Sequence, residues 1–120
     1  MKVMALALGV LVVSPLQVTL TAPGHTPKVG TRWSYAVRAT WQGKPVAARI
    51  TAQIVDPIGG SHFVQFGKTT KNVVNWPFKG EFRDFVIWPR SSRGIPLKLR
   101  ITVRANGVKK IVTYAVTPRG

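Results

Sequence analysis

Hydrophobic and polar residues alternate along most of the chain that follows residue 15. From Trp33 to Trp41, apolar side chains occupy every second position, while Ser34, Arg38 and Thr40 lie between them. A period of two is the pattern of a β-strand that buries one face. The alternation recurs along the chain and predicts seven strands, at residues 16–21, 31–41, 46–54, 62–66, 80–88, 97–104 and 109–116.

Residues that favour tight turns separate these strands. Gly43, Gly59 and Gly60 accept the positive φ that such turns often need, and Asn106 followed by Gly107 is a strong signal for a two-residue hairpin. No segment after residue 22 has the 3.6-residue period of a helix. We therefore predict one all-β domain, residues 15–120, built as a sandwich of two antiparallel sheets. A small Greek-key β-barrel is the alternative, because strand pattern does not separate open from closed sheets.

The first 14 residues differ from the rest of the chain. Lys2 precedes an apolar stretch of 11 residues, 3–13, which is typical of a secretory signal peptide. The stretch is shorter than the roughly 20 residues that a membrane-spanning helix needs. We expect residues 1–14 to be a signal peptide or apolar leader, and the protein to be secreted or displayed at the cell surface. The alternative is an additional apolar strand or helix of the folded domain.

The charge of the chain indicates which partners it would attract. Its 18 Lys and Arg residues outnumber Asp56, Glu81 and Asp84, which gives a formal net charge of +15. A dispersed positive field favours anionic partners such as nucleic acid, acidic glycan, cell-wall polymer or anionic lipid. The alternative is that the charge serves only solubility, since net charge governs association and not fold.

Side chains suited to catalysis or metal binding are few. Glu81 and Asp84 are three residues apart on one predicted strand, so they point to opposite faces and cannot act as a pair. We expect the acidic residues to be solvated partners of nearby Lys and Arg. The chain has no cysteine, and His25 and His62 would need further ligands to hold a metal. The sequence therefore predicts no catalytic residue, no metal site, no cofactor and no enzymatic activity, and a copper- or zinc-carrying domain that uses both histidines stays as a third hypothesis.

Two groups of basic residues are candidates for anion binding. One is a loop, residues 88–94, in which two guanidinium groups and two hydroxyls follow an indole; arginine binds phosphate, sulfate or carboxylate through two parallel hydrogen bonds. The other is a row of outward positions on the last predicted hairpin. The alternatives are an ordinary inter-strand loop and a solvated sheet face. The candidate residues are Arg90, Ser91, Ser92 and Arg93 in the loop, and Lys98, Arg100, Arg104 and Lys109 in the row.

Residues 41–48, Trp-Gln-Gly-Lys-Pro-Val-Ala-Ala, and the closing Asn106 and Gly107 hairpin resemble bacterial immunoglobulin-like domains of secreted and surface proteins. The resemblance implies a seven-stranded antiparallel immunoglobulin-like sandwich in an extracellular setting. It implies no active site, because such domains bind or space other groups through variable surfaces. The paired cysteines of antibody-type domains are missing.

The sequence thus favours a non-catalytic secreted or surface-associated module that acts by binding or as a structural spacer. Its expected partner is an anionic polymer of the cell envelope or another protein. A nucleic-acid-binding small β-domain, with basic strands and aromatic stacking platforms, is the alternative.

Overall fold

A computed structural model describes residues 14–120 and shows the all-β fold that the alternation predicts. The expected leader, residues 1–14, lies outside the described residues except for Ser14. No helix in the described part is long and apolar enough to cross a membrane. The strands are β1 (Leu16–Thr21), β2 (Arg32–Trp41), β3 (Lys44–Pro45), β4 (Ala47–Val55), β5 (Ser61–Phe63), β6 (Trp76–Lys79), β7 (Glu81–Ile87), β8 (Leu97–Ala105) and β9 (Val108–Val116).

The strands form two antiparallel sheets, which confirms the predicted sandwich. In the four-stranded sheet, β2 pairs with β1 on one side and with β7 and β3 on the other. In the five-stranded sheet the order is β4-β8-β9, and the short β5 and β6 both pair with β4. With β1, β2, β4, β7, β8 and β9 as strands A, B, C, E, F and G, the orders A-B-E and C-F-G match those of an immunoglobulin sandwich.

Two of the nine strands found in residues 14–120 were not predicted from the sequence. β3 is a two-residue extension beside the end of β2. β6 contains Pro77, opposite Arg49 of β4, and a proline interrupts the pattern of an ordinary strand because it donates no ladder hydrogen bond. Since β6 lies at the edge of its sheet, the proline is tolerated there.

The inward faces of both sheets supply one hydrophobic core. On β2 the buried residues are the alternating Trp33, Tyr35, Val37 and Ala39, as the pattern predicts. β8 contributes its own alternating set to the opposite side of the core. Burying each such large side chain stabilises the fold by roughly 1.5–3 kcal/mol. The largest fully buried side chains are Trp88, Leu16, Ile50, Leu99, Ile101, Val37, Val73, Val103, Val116 and Pro118.

The segment after β1 crosses to the five-stranded sheet, where residues 25–29 form backbone hydrogen bonds with residues 117–119 after β9. Lys28 and Arg119 form a parallel bridge, in which the Val29 amide donates to the Arg119 carbonyl at 2.9 Å. The Thr117 amide donates to the His25 carbonyl at 2.7 Å. These bonds satisfy backbone groups at the edge beside β9 and fix the position of Lys28.

Candidate anion-binding surfaces

Each of the three side-chain carboxylates of the chain contacts a group other than the predicted anion-binding residues. The Asp56 Oδ1 accepts hydrogen bonds from the amides of Ile58 at 3.0 Å and Gly60 at 2.8 Å, so it caps its own turn. Glu81 pairs with Arg83 at 3.1 Å, the one ion pair within residues 14–120. The remaining Lys and Arg residues of this part of the chain therefore form no ion pair with a side-chain carboxylate.

The third carboxylate corrects the expectation that every acidic residue is solvated. Asp84 is only 8% exposed, and its Oδ1 accepts a hydrogen bond from the Gly67 amide at 2.9 Å. The Tyr35 hydroxyl donates to its Oδ2 across a longer 3.4 Å. Burial raises the pKa of Asp84. Burial is also the main cause of the raised pKa of the Tyr35 hydroxyl, and the nearby Asp84 carboxylate is the second cause. This pair faces the core, while Glu81 is exposed, so the two acids of β7 lie on opposite faces as predicted.

Three basic residues lie side by side on the outward face of the five-stranded sheet; we call them the sheet-face row. Arg49 of β4 is directly opposite Arg104 of β8, and Arg104 is directly opposite Lys109 of β9. All three side chains are exposed. Facing residues have their Cβ atoms about 4.5–5.5 Å apart, and like charges at that spacing destabilise a sheet. The row is therefore a place where a bound anion would relieve repulsion.

Arg49 was not among the residues predicted from the sequence. Its backbone lies opposite Arg104, while its guanidinium donates to the Asn75 carbonyl at 2.9 Å, on the side of β4 where β6 pairs. Its outward position on β4 follows from the alternation, but its alignment with Arg104 depends on the register between two strands that are about fifty residues apart in the chain.

The predicted row on β8 is divided by the structure. Arg100 is half-buried, and its guanidinium donates to Gln53 Oε1 at 3.1 and 3.3 Å. Lys98 is exposed at the opposite end of β8, opposite Ala115. Six residues of strand separate it from Arg104, or about 20 Å. Arg104 and Lys109 thus belong together, while Lys98 and Arg100 lie apart from them.

Three of the predicted loop residues form a short 3₁₀ turn, Arg90–Ser92, between β7 and β8, and Arg93 follows directly after it. Ser92 is buried, and its hydroxyl donates to the Pro89 carbonyl at 2.6 Å, so it stabilises the turn and is not free for a ligand. Ser91 is exposed. Arg90 and Arg93 line a cavity of about 350 Å³ together with Lys28, Val29 and Gly120; we call it the end cavity.

Trp88, the indole of the predicted loop, is not available to stack against a ligand. Its side chain is 1% exposed and packs edge-on against Trp33, with ring centroids 5.5 Å apart. Its indole Nε1 has no hydrogen-bond partner among residues 14–120. Trp88 therefore belongs to the core below the turn.

The two histidines occupy separate places. The His25 ring stacks on Tyr114 at 4.2 Å, and its Nδ1 lies 2.6 Å from the Ala115 carbonyl, which can only accept, so Nδ1 is the donor. His62 is exposed on β5, opposite Ile54. Residues 14–120 contain no group of three His, Asp or Glu side chains placed to hold a metal ion.

The sequence matches no protein-family model and no curated protein. Among solved structures, the chain is similar to the Yersinia pseudotuberculosis adhesin InvE, with 16% identity over 86% of this chain and a TM-score of 0.54. It is also similar to a DUF4426 family protein from Pseudomonas aeruginosa, with 15% identity over 92% of this chain and 97% of that one, at a TM-score of 0.49. The chain spans only 32% of the adhesin. At 16% identity, the likeness to the adhesin shows a shared fold alone.

Proposed function

We propose that this protein is a non-catalytic, secreted or surface-associated binding module, and that its five-stranded sheet binds an anionic polymer of the cell envelope. The sheet-face row is the observation that supports this most directly. Arg49, Arg104 and Lys109 are aligned across three strands and exposed. Each side-chain carboxylate of the chain is occupied elsewhere. A polymer with regularly spaced negative groups would neutralise all three cations at once.

The other sheet presents a different arrangement of charge. On its outward face Arg38 of β2 is directly opposite Glu81 of β7, so a cation there has an anion as its neighbour. The sheet-face row has no such neighbour. This difference favours one sheet as the binding surface over a general attraction by the whole molecule.

The position of the aromatic residues favours an acidic glycan over single-stranded nucleic acid. Proteins that bind single strands stack the bases on exposed aromatic rings. Here Trp33 and Trp88 are buried, and Trp41 and Trp76 are packed against the core. Thr51, Thr102 and Ile111, none of them aromatic, form the next outward line beside the row. The row and the line beside it are therefore suited to charge and hydrogen bonding. The exposed Phe63, opposite Gln53 on the same face, lies two lines away from the row.

The expected setting agrees with this proposal. An apolar stretch after a basic start indicates export, with residues 15–120 as the mature immunoglobulin-like domain. The adhesin that shares the fold is compatible with a binding role at a bacterial surface. Mass spectrometry of the exported protein tests the setting, because an intact Met1 would contradict a cleaved leader.

Binding to dextran sulfate, neutral dextran and duplex DNA tests the proposal. The variant Arg104→Gln/Lys109→Gln removes two cations of the row. The control Arg38→Gln/Lys44→Gln removes the same charge from exposed positions of the four-stranded sheet. At fixed salt we expect the row variant to bind dextran sulfate about tenfold more weakly, from two lost surface contacts of roughly 0.7 kcal/mol each. The control should stay within about twofold of the wild type.

Two results would contradict the proposal. Equal losses in the row variant and the control would show that net charge alone drives binding. Tighter binding to duplex DNA than to dextran sulfate, surviving at about 0.15 M salt where distant charges are screened, would favour the nucleic-acid alternative.

A further inference from the structure

The end cavity joins cations from distant parts of the chain. Lys28 comes from the segment after β1, while Arg90 and Arg93 come from the turn between β7 and β8. All three are exposed, and no acidic side chain lines the cavity; the main chain of Gly120, whose oxygen accepts from Arg119 Nη1 at 3.5 Å, forms part of its wall. It lies at the end of the sandwich where β8 begins, and the sheet-face row lies near the other end of that strand. It is therefore a separate concentration of positive charge.

Backbone hydrogen bonds fix the positions from which these side chains extend. The Arg93 amide donates to the Arg90 carbonyl at 3.2 Å, which sets the two arginines on one turn. The Gly94 amide donates to the Pro118 carbonyl at 2.8 Å, which ties that turn to the segment after β9. The same segment bonds to Val29, next to Lys28, through Arg119. The three Cα positions are therefore set before any ligand arrives, which lowers the entropic cost of binding.

Further cations behind the cavity add to its positive field. An adjoining cavity of about 350 Å³ shares Lys28 and is also lined by Arg32 and Arg119. The Arg119 Nε donates to the Thr26 carbonyl at 3.2 Å, and the Arg32 guanidinium lies 4.2 Å from the centroid of the Phe85 ring. Both are thus held near Lys28 without a carboxylate side chain as partner.

We propose that the end cavity is a second anion site, which binds one phosphate or sulfate group carried by a small ligand or by the end of a polymer. Two guanidinium groups and one ammonium group can each donate to a tetrahedral oxyanion, and arginine can do so with two parallel bonds. A volume of about 350 Å³ is at the lower end of the range for small-ligand sites, roughly 300–1,000 Å³. It exceeds the size of one oxyanion and leaves room for a sugar-sized group attached to it.

This site is independent of the sheet-face row, so each can fail without the other. The test follows backbone amide signals of the ¹⁵N-labelled full chain by NMR during titration with inorganic phosphate, sulfate and acetate at constant ionic strength. We expect saturable shifts centred on Val29, Gly94 and Gly120 with phosphate and sulfate, and weaker ones with acetate. Arg90→Gln/Arg93→Gln should weaken phosphate binding at least tenfold. Arg38→Gln/Lys44→Gln, which removes the same charge from exposed positions outside both proposed sites, should stay within about twofold of the wild type.

Shifts that do not saturate, or that spread evenly over the basic residues, would overturn the proposal. Unchanged affinity in Arg90→Gln/Arg93→Gln would overturn it as well. Lys28→Gln serves as a second variant on a different segment, so the test does not depend on the turn folding unchanged. It should also lose affinity.

Titrations with glucose 6-phosphate and glucose distinguish a phosphate carried by a small ligand from one at the end of a polymer. Tighter binding of glucose 6-phosphate than of inorganic phosphate would support the site and identify its ligand as a small organic phosphate. Equal affinity would support the site as a receptor for the oxyanion alone, as at the end of a polymer. Binding of glucose itself, or of glucose 6-phosphate to Arg90→Gln/Arg93→Gln with wild-type affinity, would overturn it.

Discussion

Asp84 shows how one residue connects the core to a loop. A carboxyl group inside a sandwich is costly unless its oxygens are hydrogen-bonded. The Gly67 amide supplies the shorter bond, at 2.9 Å, and belongs to the loop between β5 and β6. Gly67 has a positive φ, a backbone conformation that favours glycine at the residue whose amide contacts the carboxyl group. Asp84 therefore anchors the loop against β7.

The raised pKa of Asp84 predicts a pH dependence of stability. The folded protein holds this proton more tightly than the unfolded chain, whose ordinary pKa is 3.8. The free energy of unfolding therefore increases as the pH falls through the raised pKa of the folded state towards 3.8. This contribution is lost again as the pH rises. Asp84→Asn keeps an oxygen for the Gly67 amide but cannot titrate. We expect the free energy of unfolding of the wild type, relative to that of Asp84→Asn, to increase as the pH is lowered from 7 to 4. Urea unfolding at several pH values measures this.

The control for this experiment is Glu81→Gln, which alters an exposed acid on the same strand. Taking the difference between wild type and variant removes the general repulsion that a chain of charge +15 experiences. A difference that stays constant with pH, or that decreases as the pH falls, would contradict the raised pKa.

At the scale of elements, the turn between β6 and β7 determines how the chain passes from one sheet to the other. Gly80 has φ of +74°, and a Cβ at this position would lie 3.1 Å from the Pro45 Cβ. Its amide donates to the Val46 carbonyl at 3.0 Å, and its carbonyl accepts from the Ala39 amide at 2.8 Å. This glycine therefore connects both sheets at the point where the chain crosses over.

We expect Gly80→Ala to destabilise the protein more than Gly107→Ala. Both positions have positive φ, which costs roughly 1–2 kcal/mol for a residue with a side chain. Gly107 has open space around its missing Cβ, whereas a methyl group introduced at Gly80 would press on Pro45. Chemical unfolding of both variants measures the two losses. Equal losses would contradict a close approach of β3 to this turn.

Most of the fold could be predicted because strand formation here depends on local alternation. Trp33 and Ile101 are buried as the period of two requires. What could not be predicted depends on pairing across long sequence separations. The sequence placed Arg104 and Arg100 on one face, but only the register puts Arg104 beside Arg49, and Arg100 within reach of Gln53. Lys28 lines the same cavity as Arg90 and Arg93 for a similar reason, because the chain after β1 crosses to that end of the sandwich.

At the scale of the molecule, two groups of basic side chains lie at separate places. One sheet displays the sheet-face row, and one end of the sandwich contains the end cavity. About 20 Å of β8 separates Arg104 from the end where Lys98 lies. Substitutions at sites this far apart should have additive effects on binding. The two surfaces can therefore be tested one at a time.

The salt dependence of binding to dextran sulfate shows whether the sheet-face row binds an anionic polymer. The slope of log affinity against log salt reports the number of ionic contacts. Arg49→Gln/Arg104→Gln/Lys109→Gln should make the slope shallower by about three, roughly one for each cation removed. Arg38→Gln/Lys44→Gln/Lys68→Gln, with equal charge, should leave it nearly unchanged. Equal changes of slope in both variants would instead mean that the polymer responds only to the net charge of the protein, and the sheet-face row would not be its binding site.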